Sequence, residues 1–324
     1  MRLLDRLRGA PAARLAPRAG DAPVSVVVPL YQHARYVAAA LASALAQTAP
    51  PREILVIDDG SRDDGAAIAA RALRGVAGAR VLRQDNRGAA ETINAAVAQA
   101  AGDWIAVLNS DDQFAPDKLA RCQLVMAAQP DATLIAGGIA LVDAAGRRLQ
   151  RGVSADWLRR AHDFAGRAAH PPLALLNENF VATTSNMVFT RALWRQLGGF
   201  APLRYCHDLD FLLRAFACAH VAIDAEAVHV LYRVHEANTI AEDVRGVRVE
   251  LAAVIAEAMA SLGPRLLPQD DDAGFALFRE FLRNKAVSEA VLYFTALRGR
   301  FADAHAFYRH VTAEPQRTRF LEMV

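Results

Sequence analysis

Four short, mostly apolar runs constrain this chain more than anything else in it: residues 24–28 (VSVVV), 53–57 (EILVI), 80–82 (RVL) and 104–108 (WIAVL). A strand with one wet face alternates apolar and polar residues. Runs that are apolar on successive positions fit strands buried on both faces, as in a parallel sheet between helix layers. Between the runs lie RYVAAALASALAQ, DDGAAIAARALRG and GAAETINAAVAQAAG, all rich in alanine with apolar residues three and four apart. These segments are predicted helices. Strand alternating with helix means βαβ units joined by right-handed crossovers.

Beyond Pro130 the pattern changes. ATLIAGGIALVDAAGRRL predicts two strands around a turn at Asp143–Gly146, followed by a loop rich in His and Pro at residues 162–172. NMVFTRALWRQLGGF predicts a strand feeding a helix that stops at a double glycine. HDLDFLLRAFACA predicts a further helix, with strands expected at residues 220–223 and 228–234. From about residue 245 three helical stretches follow: GVRVELAAVIAEAMASLG, DAGFALFREFLRNKAVSEAVLYFTAL and RFADAHAFYRHVTAE.

With 324 residues, over half of them hydrophobic, the chain can bury a sizeable core. The net charge of +2 offers no global field for nucleic acid. Cys122, Cys206 and Cys218 are few and lack metal-ligand spacing, which suits free thiols in a reducing compartment. No apolar run approaches the ~20 residues of a membrane span, and the N-terminus lacks the apolar stretch of a secretory signal. Cytoplasmic placement is the resulting expectation. Arg2, Arg6, Arg8, Arg14 and Arg18 against the two acids Asp5 and Asp21 make residues 1–22 a basic arm. The arm reads either as a flexible tail or as a weak peripheral attachment to the inner face of an anionic membrane.

The chemistry lies where the strands end. Open α/β sheets bind ligands outside the carboxyl ends of their strands. There the sequence places Pro29 and Tyr31, then Asp58 and Asp59, then Asp111 and Asp112. Carboxylates gathered in one crevice repel each other, and a divalent cation removes that conflict. Oxygen ligands favour Mg²⁺ or Mn²⁺. No G-x-G-x-x-G follows the first strand and no G-x-x-x-x-G-K-[ST] occurs, which disfavours a dinucleotide dehydrogenase and a P-loop nucleotidase.

Taken in order, VSVVVPLYQHARYVAAALASALAQT, EILVIDDGSRDDG, QDNRGAAETINAAVAQAAGDWIAVLNSDD, NMVFTRALWRQLGGF, HDLDFLLR and YRVHEANTI resemble glycosyltransferase family 2, inverting enzymes of the GT-A fold. The resemblance runs from about residue 24 to 240. It implies an α/β fold, a GT-A (Rossmann-like) mixed, mostly parallel sheet flanked by helices. The expected organisation is a basic arm at 1–22, the GT-A domain at 23–243 and a C-terminal helical extension at 244–324. It implies transfer of a sugar from a nucleotide-diphosphate donor to a hydroxyl of a glycan or lipid-linked acceptor, one sugar per encounter, in bacterial surface polysaccharide synthesis.

Carried over position by position, the resemblance puts Pro29, Tyr31, Asp58, Arg87, Gly88 and Asp112 at the nucleotide. It puts Asp111 and His235 at a divalent cation (Mn²⁺ or Mg²⁺), and Asp208 in the role of catalytic base. The helix dipole at the start of HDLDFLLR is expected to keep Asp208 ionised; a helix cap is its bland alternative. Asn109 and His207 stand where the family pattern has acids. They are the support for the alternative function, a catalytically weak scaffold that binds sugar nucleotides.

Overall fold

In the computed structural model the described residues are 24–168, 170–236, 238–239, 242–266, 271–285 and 288–324. The basic arm at 1–22 lies outside them. The first half follows the expected alternation: β1 (Val24–Leu30), α1 (Val37–Leu45), β2 (Glu53–Asp58), α2 (Gly65–Ala72), β3 (Ala79–Arg83), α3 (Ala89–Gln99) and β4 (Trp104–Val107). β5 (Gln113–Phe114), α4 (Lys118–Ala128) and β6 (Ala132–Val142) lead to α5 (Val153–Arg167) and α6 (Pro171–Asn177). β7 (Val188–Thr190), α7 (Arg191–Gln196), α8 (His207–Cys218) and β8 (His220–Arg233) complete the sheet region.

The eight strands form one sheet in the order β3-β2-β1-β4-β7-β6-β8-β5. β1 pairs in parallel with β2 and β4, β2 with β3, and β6 with β8. The pairs made by β7 with β4 and β6, and by β5 with β8, are antiparallel. The sheet is therefore mixed and mostly parallel. The consecutive apolar runs are explained by its two covered faces. Val27, Leu55 and Ile57 point into one apolar layer, while Val26, Val28, Ile54 and Val56 point into the other.

Three expectations about local structure are corrected. The second strand around the Asp143–Gly146 turn shrinks to one isolated bridge, Val142 to Arg148. The presumed loop at 162–172 is mostly helical: α5 runs to Arg167 and α6 starts at Pro171, where the missing proline N–H costs nothing. The strands expected at 220–223 and 228–234 are one strand, β8, interrupted by a bulge. There Gly137 pairs with Asp224 but Gly138 pairs with Val228. The long stretch from residue 272 is helical where it is described, over α10 (Asp272–Lys285) and α11 (Ser288–Arg298).

The remaining tail elements are α9 (Val244–Leu262), α12 (Ala304–Thr312) and α13 (Gln316–Phe320). The tail's apolar residues Val249, Phe281, Phe294, Phe307 and Val311 belong to the same apolar layer as Val27, Leu55 and Phe211. Burying each such side chain is worth roughly 1.5–3 kcal/mol. The expected boundary at residue 243 thus divides the sequence but not the core.

Candidate active site and metal centre

β1, β2 and β4 run in parallel, so residues just past their carboxyl ends share one edge of the sheet. The strand order reverses between β1 and β4, the kind of switch point at which open α/β sheets leave a crevice. His33 follows β1, Asp58 ends β2 and Asp111 follows β4.

His33, Asp111 and His235 each offer one ligand atom, and these atoms lie within 4.8 Å of one another; among the described residues this is the one such group. His235 Nε2 is 3.1 Å from Asp111 Oδ2 and His33 Nε2 is 3.9 Å from the same oxygen. The surrounding residues fix the imidazoles. His33 Nδ1 is 2.8 Å from Ser110 Oγ, and the His235 backbone N–H donates to Asn238 Oδ1 at 2.6 Å. The Tyr36 ring lies 4.9 Å from the His235 ring, and the Arg233 guanidinium lies 5.0 Å from the centre of the Tyr36 ring. Outer partners of this kind orient metal ligands.

Burial lowers the His33 pKa, which favours the neutral, ligating imidazole. Burial by itself would raise Asp111, but the His235 hydrogen bond and the two imidazoles outweigh it and hold the carboxyl below its usual value. Two imidazoles and one carboxylate therefore fit a divalent cation. Asp111 and His235 are brought together as expected. His33 was missed, although it stands in the opening motif. No motif spacing links it to Asp111, and only the fold does.

Asp112 is corrected. It was expected at the nucleotide, yet it is 1 % exposed and engaged inside the protein. Its Oδ2 accepts from Thr183 Oγ1 at 3.0 Å and Ser185 Oγ at 2.6 Å, and its Oδ1 accepts from Arg233 N at 3.0 Å. Burial, then the Asp111 charge, push its pKa up to about 7. Asn109 belongs to the same wall. Its amide donates to Thr183 Oγ1 at 2.9 Å and its carbonyl accepts from Thr184 Oγ1 at 2.9 Å. Asn109 thus has both groups of its side-chain amide engaged in that wall. It is a hydrogen-bonded support behind Asp111.

Asp58 is fully buried, and its Oδ2 is a buried oxygen with no hydrogen-bond partner. Arg83 Nε stands 3.4 Å from it as an ion pair. A buried acceptor with spare capacity at a strand end is a ready partner for a ligand N–H. Asp59 faces the other way. It accepts from Gln84 Nε2 at 2.8 Å and from the backbone N–H groups of Arg87 and Gly88, each at 2.9 Å. It thereby holds the Arg87–Gly88 loop at the start of α3, where Gly88 adopts φ 88°. Tyr31 is 44 % exposed beside the same edge, and Pro29 is half-buried at the end of β1.

Asp208 is the second residue of α8, behind the cap position Cys206, and is not a cap. It is half-buried. Asn179 Nδ2 donates to its Oδ2 at 3.1 Å, and Leu209 N donates to its Oδ1 at 2.7 Å. Asn179 in turn accepts from Ala182 N at 3.1 Å, where Ala182 is held at φ 68°. This orienting amide was not legible in the sequence. The expected dipole-lowered carboxyl is also corrected: burial outweighs the favourable contacts and raises Asp208 above its usual value. The LGGF turn is pinned. Gly198 and Gly199 cap α7 at positive φ, and Arg214 holds the carbonyls of Leu197 and Gly199.

The sheet order defines a Rossmann-like α/β fold, with two imidazoles and one carboxylate gathered at its strand ends. The chain belongs to glycosyl transferase family 2, whose model matches residues 25–196. Among curated relatives, an uncharacterized glycosyltransferase of Rickettsia prowazekii (strain Madrid E) is 25% identical over 220 residues, 67% of this chain and 65% of that protein. The succinoglycan biosynthesis protein ExoU of Rhizobium meliloti (strain 1021) is 38% identical over 128 residues, 39% of this chain and 36% of that protein. The matched segments thus span less than two thirds of either relative. Solved structures share the fold. The S. aureus TarS 1-349 complex with UDP-GlcNAc has a TM-score of 0.58 at 17% identity, over 92% of this chain and 78% of that one. The mannosyltransferase PcManGT of Pyrobaculum calidifontis, in complex with GDP-Man and Mn2+, has a TM-score of 0.58 at 18% identity, over 98% and 90%. Among the described residues no helix is long and apolar enough to cross a membrane.

Proposed function

We propose that this chain is an inverting, non-processive hexosyltransferase. It moves a sugar from a nucleotide-diphosphate donor to a hydroxyl of a glycan or lipid-linked acceptor in surface polysaccharide synthesis. The observation that carries the reading is the His33–Asp111–His235 group at the switch point. The group supports a divalent-cation site at the strand ends, where a nucleotide's phosphates would lie. The sugar nucleotides in the TarS and PcManGT complexes, and the succinoglycan role in ExoU's name, support the same substrate classes.

Asp58 accepts from the nucleobase with the oxygen that has no hydrogen-bond partner in the protein. Tyr31 and Pro29 wall the same pocket, and the Arg87–Gly88 loop, tied down by Asp59, lies along the nucleotide. His33, Asp111 and His235 hold the cation, and two imidazoles shift the preference from Mg²⁺ toward Mn²⁺. When bound, the cation supplies charge neutralisation for the diphosphate leaving group. Asp208, oriented by Asn179, accepts the proton of the attacking hydroxyl. A single displacement by that hydroxyl inverts the anomeric centre.

The test is a panel of UDP-, dTDP- and GDP-sugars with Mn²⁺, Mg²⁺ or EDTA, run beside Asp111→Ala. One donor should bind only with metal, best with Mn²⁺, and Asp111→Ala should abolish that binding. Failure of every donor under every metal condition would sink the reading. The scaffold alternative loses its first support, because Asn109 is a satisfied part of the wall behind the site.

A further inference from the structure

The helical tail reaches the base from two sides. Glu250 on α9 is 5 % exposed, yet it hydrogen-bonds three successive backbone N–H groups of the segment entering α8. Arg204 N donates to its Oε1 at 2.8 Å, and Tyr205 N and Cys206 N donate to its Oε2 at 2.7 and 3.0 Å. Cys206, at the cap position, supplies no side-chain cap of its own. A carboxylate from 44 residues further along the chain does that work instead. The helix dipole favours negative charge at this end.

From the other side, Tyr308 on α12 donates its hydroxyl to Asp210 Oδ1 at 2.7 Å, both residues being fully buried. Asp210 Oδ2 pairs with Arg214 at 2.6 Å. Arg214 in turn donates to Leu197 O at 2.6 Å and Gly199 O at 3.0 Å. Two tail residues therefore fix both the entry to α8 and the turn that precedes it. Asp208 lies between Cys206 and Asp210 on this gripped turn of helix.

We infer that Glu250 and Tyr308 are positioning residues that set Asp208 for proton transfer, which makes the tail part of the catalytic apparatus. The inference rests on the transferase reading above. A base displaced by ~1 Å loses roughly a hundredfold in rate, so small slack in this grip has a large effect.

The test uses full-length Glu250→Gln and Tyr308→Phe, both close in shape to the native side chains. Each should lower kcat by roughly tenfold or more, with donor KM and Mn²⁺-dependent nucleotide binding unchanged. In an Asp208→Asn background each should add no further loss, because the grip acts through the base. Additive losses, or a rise in donor KM, overturn the inference. Hydrogen exchange decides the grip without turnover: the amides of Arg204, Tyr205 and Cys206 should lose protection in Glu250→Gln. Unchanged exchange overturns it, and so does loosened exchange with unchanged kcat. An inactive wild-type protein would instead count against the transferase reading, with the exchange result still deciding whether the tail grips α8.

Discussion

At the scale of single residues, the proposed base and the proposed cation ligands carry separate expectations. Asp208→Asn should lower kcat by roughly 10²–10⁴-fold while leaving donor binding intact, read by turnover and by nucleotide titration. Burial raises the Asp208 carboxyl, and a base works only when ionised. Activity is therefore lost as pH falls through that raised value, so the acid limb of the kcat profile should lie above the ordinary carboxylate range near pH ~4. A limb at or below that range would contradict the buried setting. His33→Ala should weaken Mn²⁺ binding by at least about tenfold, measured by titration, since even outer partners of metal sites have effects of that size. Asp111, His235 and Asp208 could be proposed from the sequence because each sits in a local motif. His33 and Asn179 were not, because each acts on a residue 78 and 29 positions away that only folding brings near. Asp112 misled for the converse reason: adjacent acids look alike in a sequence, yet one points into the crevice and the other into the wall.

At the scale of elements, the β6–β8 bulge has its own chemistry. The Asp224 carboxylate there pairs with Arg121 Nε at 2.7 Å and with His229 Nε2 at 2.9 Å. His229 is buried so closely against Gly137 that a Cβ at Gly137 would lie 2.3 Å from the ring. Gly137→Ala should destabilise the protein by about 1–3 kcal/mol, visible as a lower denaturant midpoint. Burial opposes ionisation of Asp224, but His229 and Arg121 win and hold its pKa far below the usual value. A depressed carboxyl contributes stability above its unfolded value of about 3.9 and loses it as pH falls toward its folded value. Asp224→Asn should therefore flatten the acid arm of the stability curve. The alternation of strand and helix was legible because both faces of the central strands are covered. The bulge, the bridge at Arg148 and the two-residue β5 were not, since pairing partners leave no periodicity in so few residues.

For the whole molecule, the decisive fact is one apolar layer shared by the sheet and the tail. Thermal or denaturant unfolding should be a single transition, with far-UV circular dichroism and tryptophan fluorescence coincident. Two separated transitions would mean that the tail folds as its own unit. A chain cut after residue 243 should expose the surface that Phe294 and Phe307 now cover, and should bind a hydrophobic dye or aggregate.

The hydrogen-bonded wall behind Asp111 also bears on how such a protein can be engineered. The Thr183 hydroxyl has one proton, and it goes to Asp112. Thr183 can therefore only receive from position 109, and Asn109 supplies the needed N–H. Changing Asn109 to Asp would bring the sequence nearer its family pattern. It would also set two acceptors against each other and add a second negative charge beside buried Asp112. Consensus design treats departures from the pattern as damage to be repaired; at this position the repair would be the damage.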